Sequence, residues 1–165
     1  MFHLNVAGRK AVIDKLKYRV NAVKKETAKT AWDYLVNFGY HSFRLSGPNA
    51  SSLGWSDYYA ANWNQGLESP NITVITPERA YDEEEGAFSD AAWDKAEDYS
   101  IINEAMPSDT IFVTNSVWYG KWLNDGGFDT RTFTKESHPN RFMELCHSHL
   151  HKNISVIAKN ARKNY

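Results

Sequence analysis

The chain reads as an α+β fold: a small, mostly antiparallel sheet packed by a long N-terminal helix, a middle helix and a C-terminal helix. Three observations predict it. Apolar residues recur three or four apart through the first 38 residues and again from Asn140 to Ala161, the spacing of one helix face. Between these stretches lie short runs rich in β-branched and aromatic residues, bounded by Gly, Pro, Asn and Ser, as in strands. The 165 residues, 42% hydrophobic and 24% charged, suit one domain, 1–165, with a buried core.

The N-terminal helix is placed at 6–38. Ile13, Leu16, Val20, Val23, Thr27, Ala31, Tyr34 and Phe38 share one stripe, and Gly39 reads as a C-terminal cap. Lys10, Lys15, Lys17, Arg19, Lys24, Lys25 and Lys29 lie mostly off that stripe. They read as a solvated face whose stems cover apolar surface; the sharper alternative is contact with an acidic partner.

A turn-rich stretch, 43–54, leads to the first sheet region, 56–77. Tyr58 to Asn64 and Ile72 to Ile75 read as two strands joined by the polar turn 65–71, hence a hairpin, and Pro77 ends the second strand. Asp82 to Glu85 reads as an acidic loop. Ser89 is placed as the N-cap of a middle helix, 89–103.

The second sheet region, 110–115, has the clearest signal. Ile111 and Val113 alternate with Phe112 and Thr114 behind the turn residues Pro107, Ser108 and Asp109. From Ser116 the period becomes helical through Trp122 and Leu123, until Gly126-Gly127 stops it. Residues 128–139 show no period and read as a flexible loop, and the C-terminal helix is placed at 140–161.

Charge is unevenly distributed behind a net −1. Residues 1–33 carry eight Lys/Arg against three Asp/Glu, and 121–165 carry eight against four. Residues 78–109 carry eleven Asp/Glu against two basic residues, Arg79 and Lys95. Such blocks suit complementary faces, within one fold or between copies of it. The overall balance gives no electrostatic case for a specific nucleic acid or an acidic membrane. One cysteine, Cys146, excludes an internal disulfide. No apolar run approaches the roughly 18 residues of a membrane span, and no signal-peptide pattern opens the chain, so folding in a reducing compartment is expected.

Candidate chemistry is sparse. On a helix His147 and His151 share a face, with Glu144 near, but the residue after His147 is Ser148 where a zinc protease needs glutamate. A polar, titratable helix face is the plainer reading. Cys146 reads as a buried or half-buried free thiol. The run Asp82, Glu83, Glu84, Glu85 has neither the spacing of an acid/base pair nor that of a calcium loop. The aromatics say more. Trp55, Tyr58, Tyr59 and Trp63 cluster, as do Trp118, Tyr119 and Trp122; core packing, interface use and a stacking platform are their possible uses, in that order.

Several of these runs resemble a known family. Thr114-Asn115-Ser116-Val117-Trp118-Tyr119-Gly120 is similar to an Asn-x-x-x-Tyr-Ala run, with glycine in place of the usual alanine. Leu123-Asn124-Asp125-Gly126 resembles Leu-Glu-x-Gly, and the segment ending at Trp63 resembles Thr-Gly-x-x-x-x-Ser-Trp. His138-Pro139 to Met143 resembles Ala-Pro-x-Gly-Met before a last helix. Together with the order of elements these resemble the tail-completion, or head–tail joining, proteins of long-tailed bacteriophages.

The resemblance implies a non-enzymatic virion protein, assembled in the host cytoplasm, that forms a ring at the head–tail junction. The ring is commonly hexameric, with a dodecamer as the alternative. Its neighbours would be the adjacent connector or neck proteins and the tail-terminator or tail-tube proteins, with genome DNA passing through. No catalytic, cofactor or metal residue is expected. The residues assigned to structure or interface are Asn115, Trp118, Tyr119, Trp122, Gly126, Gly127, Trp63, Glu83, Glu84, Glu85, Arg131 and Lys135. Asn115, Trp118, Tyr119 and Trp122 would fix the sheet to its neighbours, and Gly126-Gly127 would release the loop towards a partner. A small metal-dependent enzyme using His147, His151 and Glu144, or an aromatic platform for carbohydrate or nucleic acid, are the rival readings.

Overall fold

Helix α1 runs from Val6 to Arg44 in a computed structural model that describes residues 6–44, 62–74, 81–82, 87–88, 98–117, 120–125 and 141–163. Its 39 residues make it about 58 Å long at the ordinary helical rise. The helix passes through Gly39 instead of stopping there. One glycine inside a helix costs only about 1 kcal/mol, and no proline follows until Pro48.

Among the described residues the other elements are β1 (Trp63–Leu67), β2 (Tyr81–Asp82), β3 (Ala87–Phe88), α2 (Ser100–Glu104), β4 (Ile111–Asn115), α3 (Gly120–Asp125), α4 (Phe142–Lys152) and α5 (Ile154–Lys163). The architecture is α+β, with α1 packed against a two-stranded antiparallel sheet of β1 and β4. Trp63 pairs with Asn115, Gln65 with Val113 and Leu67 with Ile111. β2 and β3 form a second antiparallel pair, Tyr81 opposite Phe88.

The expected hairpin is corrected. Strand β1 continues through Gln65, Gly66 and Leu67, which had the composition of a turn, and its partner is β4, while 72–74 is not a strand. The chain turns at Glu68, held in the left-handed region at φ 61, and then folds back over the sheet. A Cβ on Gly66 would collide with the Ser69 carbonyl oxygen and lie 2.9 Å from the Asn71 nitrogen. Gly66 is therefore a strand glycine that admits a close backbone, a standard use of glycine inside a strand.

The middle helix, expected at 89–103, is interrupted near its C-terminal end, and residues 89–97 lie outside the described residues. Asp98 and Tyr99 are not helical, and α2 covers 100–104. The Asp98 carboxylate accepts the Ser100 N–H at 2.8 Å, a local turn just before the helix. The expected N-cap, Ser89, lies outside the described residues.

The C-terminal helix is two helices. The break falls at Asn153, whose side-chain amide donates to the His149 carbonyl at 2.8 Å, while its own N–H reaches the carbonyls of His149 and Leu150. The apolar period continues through the break, which is why the spacing did not reveal it.

Trp32, Leu35 and Val36 of α1, Trp63, Ile102, Val117, Phe142 and Cys146 form the buried core. Trp63 meets Phe142 edge to face at 6.2 Å between ring centroids. Strand parity explains the sheet's share: Trp63 and Gln65 face the helices and are buried, with Val113 beside them. α4 and α5 then pack along α1.

Candidate interaction surface

Two surfaces stand out, a groove beside β4 and the N-terminal part of α1. The groove, about 610 Å³, lies between α1, β4 and α4, with Ala31, Leu35, Ile111, Val113, Cys146 and Leu150 among its walls. The register explains why β4 lines it. Glu68 donates its N–H to the Thr110 carbonyl at 3.0 Å, so by antiparallel alternation Phe112 and Thr114 direct their backbone groups towards β1. Ile111 and Val113 direct theirs the other way, and their side chains enter the groove.

Lysines seal one end of this region. Lys24 Nζ donates to the carbonyls of Met106 and Asp109, each at 2.7 Å, and to that of Pro107 at 3.3 Å. Lys25 Nζ donates to the Asn103 carbonyl at 2.5 Å. Burial, and then the neighbouring Lys24 and Lys29, push the Lys25 ammonium below its usual range. This part of the lysine face, expected to be solvated, thus ties α1 to the turn before β4.

Several polar groups inside the fold are matched, whereas Asn21 Oδ1 is buried with no hydrogen-bond partner among the described residues. Buried Gln65 donates through Nε2 to the Asp98 carbonyl and accepts the Ile102 N–H through Oε1 at 3.2 Å, which satisfies a first-turn donor of α2. Asn21 donates to the Ala105 carbonyl at 3.0 Å. Tyr99 donates its hydroxyl to Asp33 Oδ1 at 2.6 Å. Burial raises the Asp33 carboxyl, and the Tyr99 hydrogen bond pulls it partly back. None of Gln65, Asn21 or Asp33 was singled out in the sequence; an isolated polar residue among core residues carries little local signal.

The sequence-predicted residues separate clearly. Trp63 is core, only 3% exposed: its ring fills the space between sheet and helices. Asn115 ends β4 and accepts the Val117 N–H through Oδ1 at 3.1 Å, a local turn that brings the chain out of the strand. Trp122 lies within α3, which begins at Gly120, later than the Ser116 expected. Trp118, Tyr119, Gly126, Gly127, Glu83, Glu84, Glu85, Arg131 and Lys135 concern side chains or segments outside the described residues, as does the loop 128–139.

Asn124, which the sequence reading left without a role, is a junction. Its carbonyl accepts the Arg141 N–H at 2.9 Å and its Oδ1 accepts the Met143 N–H at 3.1 Å. Arg141 there has φ 49, so the chain enters α4 through a left-handed residue.

The histidines share a face as spaced. His147 and His151 stack at 6.4 Å, and His149 instead meets Tyr34 at 4.6 Å. Among the described residues no three or more His, Cys, Asp or Glu side chains converge as metal ligands. Cys146 is buried, which pushes its thiol up to about 11. No described helix is long and apolar enough to cross a membrane.

The second surface is the start of α1. Val12, Ile13, Leu16 and Val20 are 54%, 50%, 53% and 64% exposed, although Ile13, Leu16 and Val20 continue the stripe that further along meets α4 and α5. Among the described residues the packing of α5 on α1 reaches Arg19 and Val23, beside Ala158 and Arg162. Compared with protein-family models, curated proteins and solved structures, the chain matches none.

Proposed function

We propose that this chain is a non-enzymatic assembly protein, and specifically a ring-forming component of the head–tail junction of a tailed bacteriophage. The observation that carries the assembly reading is the uncovered N-terminal part of α1. Four large apolar side chains half or more exposed on one helix are costly to leave in water, and such patches on monomers are commonly interaction sites.

The neck assignment is supported by the resemblance of the ordered motifs. Two of them, Leu123-Asn124-Asp125-Gly126 and the run up to Met143, meet through the Asn124 hydrogen bonds. Ring partners would be further copies of the chain, commonly six with twelve as the alternative, flanked by connector or neck proteins and by tail-terminator or tail-tube proteins. Location in the virion and assembly in the host cytoplasm follow from the same reading.

Native mass spectrometry and negative-stain images of the purified chain test it. A closed ring of six or twelve copies, alone or with neck proteins, is expected. Monomers only, in both preparations, would sink the reading.

A further inference from the structure

We infer that His147 and His151 form a two-histidine clip on α4 that binds one divalent ion of the copper or nickel class. The site lies within α4 alone and is independent of the assembly reading. Residues four apart on a helix stand one above the other, with about 5–6 Å between their Cβ atoms. The two imidazoles follow that spacing: their centroids are 6.4 Å apart and their planes only 11° from parallel. Among the described residues neither imidazole makes a hydrogen bond, and each stacks only on the other. His149 differs, because its ring meets Tyr34 of α1 at 4.6 Å. Positions two apart on a helix point roughly 200° away from each other. That contact therefore turns His147 and His151 away from Tyr34, and both are exposed.

Chelation needs little adjustment. A metal held by two imidazoles at about 2.0–2.1 Å, on adjacent coordination positions, brings the ring centroids to roughly 5 Å. Each ring then moves by under about 1 Å, which side-chain torsions supply without any change in the helix.

The number of ligands selects the ion. Cys146 is buried in the core, and neighbouring helical side chains diverge by about 100°. Glu144 precedes His147 by one turn, yet among the described residues no third His, Cys, Asp or Glu side chain converges on the pair. Two protein nitrogens fall short of the three or four ligands that zinc sites use. Calcium and magnesium require oxygen. Copper(II) and nickel(II) favour imidazole in tetragonal sets, where water fills the other positions, and copper(II) heads the divalent affinity order. Binding also acts on the fold. The clip reaches into the last turn of α4, just before the break at Asn153. In the unfolded chain the two imidazoles are not held one turn apart, so the ion prefers and stabilises the folded chain.

Calorimetric titration of the full-length chain with nickel(II) chloride tests the clip. It is made on wild type and on a His3→Ala/His41→Ala/His138→Ala background, which keeps only the histidines of α4. Circular dichroism establishes that each variant is folded. One nickel ion per chain is expected in that background. His147→Ala or His151→Ala removes a direct ligand, so each should weaken binding by at least the roughly 10–100-fold that loss of an outer-shell partner costs. His149→Ala should leave it unchanged. The same binding phase should disappear from otherwise wild-type chains carrying either substitution, so the result does not depend on the background. Nickel should raise the urea midpoint of wild type and leave that of His147→Ala/His151→Ala in place. No binding in the background, equal losses from all three single substitutions, or binding retained by the double variant would overturn the clip. One ion per two chains would overturn it as well, since the metal would then be shared between copies. Zinc bound more tightly than copper(II) would do the same by revealing a third protein ligand.

Discussion

Asn124 and Met143 are joined by a hydrogen bond across 19 residues, the Asn124 Oδ1 accepting the Met143 N–H at 3.1 Å. The Asn124 carbonyl also accepts the Arg141 N–H at 2.9 Å, so one residue fixes both the end of α3 and the start of α4. No side chain of α4's own N-cap, Arg141, serves the helix, so Asn124 stands in for it from a distance.

Asn124→Ala keeps the carbonyl contact and removes the side-chain acceptor. It should cost about 1 kcal/mol, the ordinary loss for a helix cap. For a chain of this size that lowers the melting temperature by roughly 2–4 °C. Thermal and urea unfolding followed by circular dichroism measure it. A midpoint unchanged from wild type would mean that water replaces the cap at no cost.

How far the sequence reveals such features depends on the range over which their cause acts. β4 was legible almost to the residue, because period-two alternation and the turn before it are local signals. The start and helical character of α1 were legible for the same reason. Its exposed portion was not, since whether Leu16 is covered depends on elements distant in sequence and leaves no local signal. The pairing of β1 with β4 lies across an intervening helix, and a near-neighbour hairpin was the cheaper guess by loop closure. Asn115 sits at the end of β4, where its side chain makes the local turn out of the strand. Trp63 was ambiguous between core and interface, because a large amphipathic ring looks the same in sequence whether it meets a partner chain or its own helix.

Gly66 gives a second prediction. It sits in β1 beneath the backbone of residues 69–71, where an added methyl meets the Ser69 carbonyl oxygen and the Asn71 nitrogen. Both obstacles are main chain, so neither can swing aside as a side-chain tip would. Gly66→Ala should destabilise by about 1–3 kcal/mol, the range for overpacking. The gain from lower chain entropy, about 0.4–1 kcal/mol, offsets this only in part. Urea unfolding decides it; equal or higher stability in the variant would show that the 68–71 turn can move away.

Tyr99 and Asp33 give a pH-dependent prediction. Burial raises the Asp33 carboxyl above its ordinary value, and the Tyr99 hydroxyl opposes that by donating to the charged form. Because the folded value lies above the unfolded one, Asp33 favours folding most at acid pH, below its unfolded value, and that contribution is lost as pH rises through the folded value. Tyr99→Phe removes the donor and should raise the carboxyl further. Its destabilisation should therefore be larger at neutral pH, where Asp33 is ionised, than at pH values below the ordinary carboxylate range. A carboxyl-detected NMR titration and unfolding at both pH values measure this. Equal losses at the two pH values would show that the tyrosine acts through packing alone.

Cys146 supplies the last. It lies in the core beside the groove between α1, β4 and α4, and burial pushes its thiol up to about 11 from an ordinary value of 9.0. At pH 8 the native thiol should react with a disulfide reagent far more slowly than the same thiol in urea, since both access and thiolate are suppressed. The linkage has a definite sign. The folded chain keeps the proton longer than the unfolded one, so the stabilising difference is full below about 9 and is lost as pH rises towards about 11. Wild type should therefore lose stability over that interval more steeply than Cys146→Ala, which has no proton to lose and only a small cavity to carry at every pH. Urea midpoints at pH 8, 9 and 10 for both proteins give the comparison. Parallel pH profiles would mean that the thiolate is accommodated in the fold, and rapid native labelling at pH 8 would show that the core opens around it.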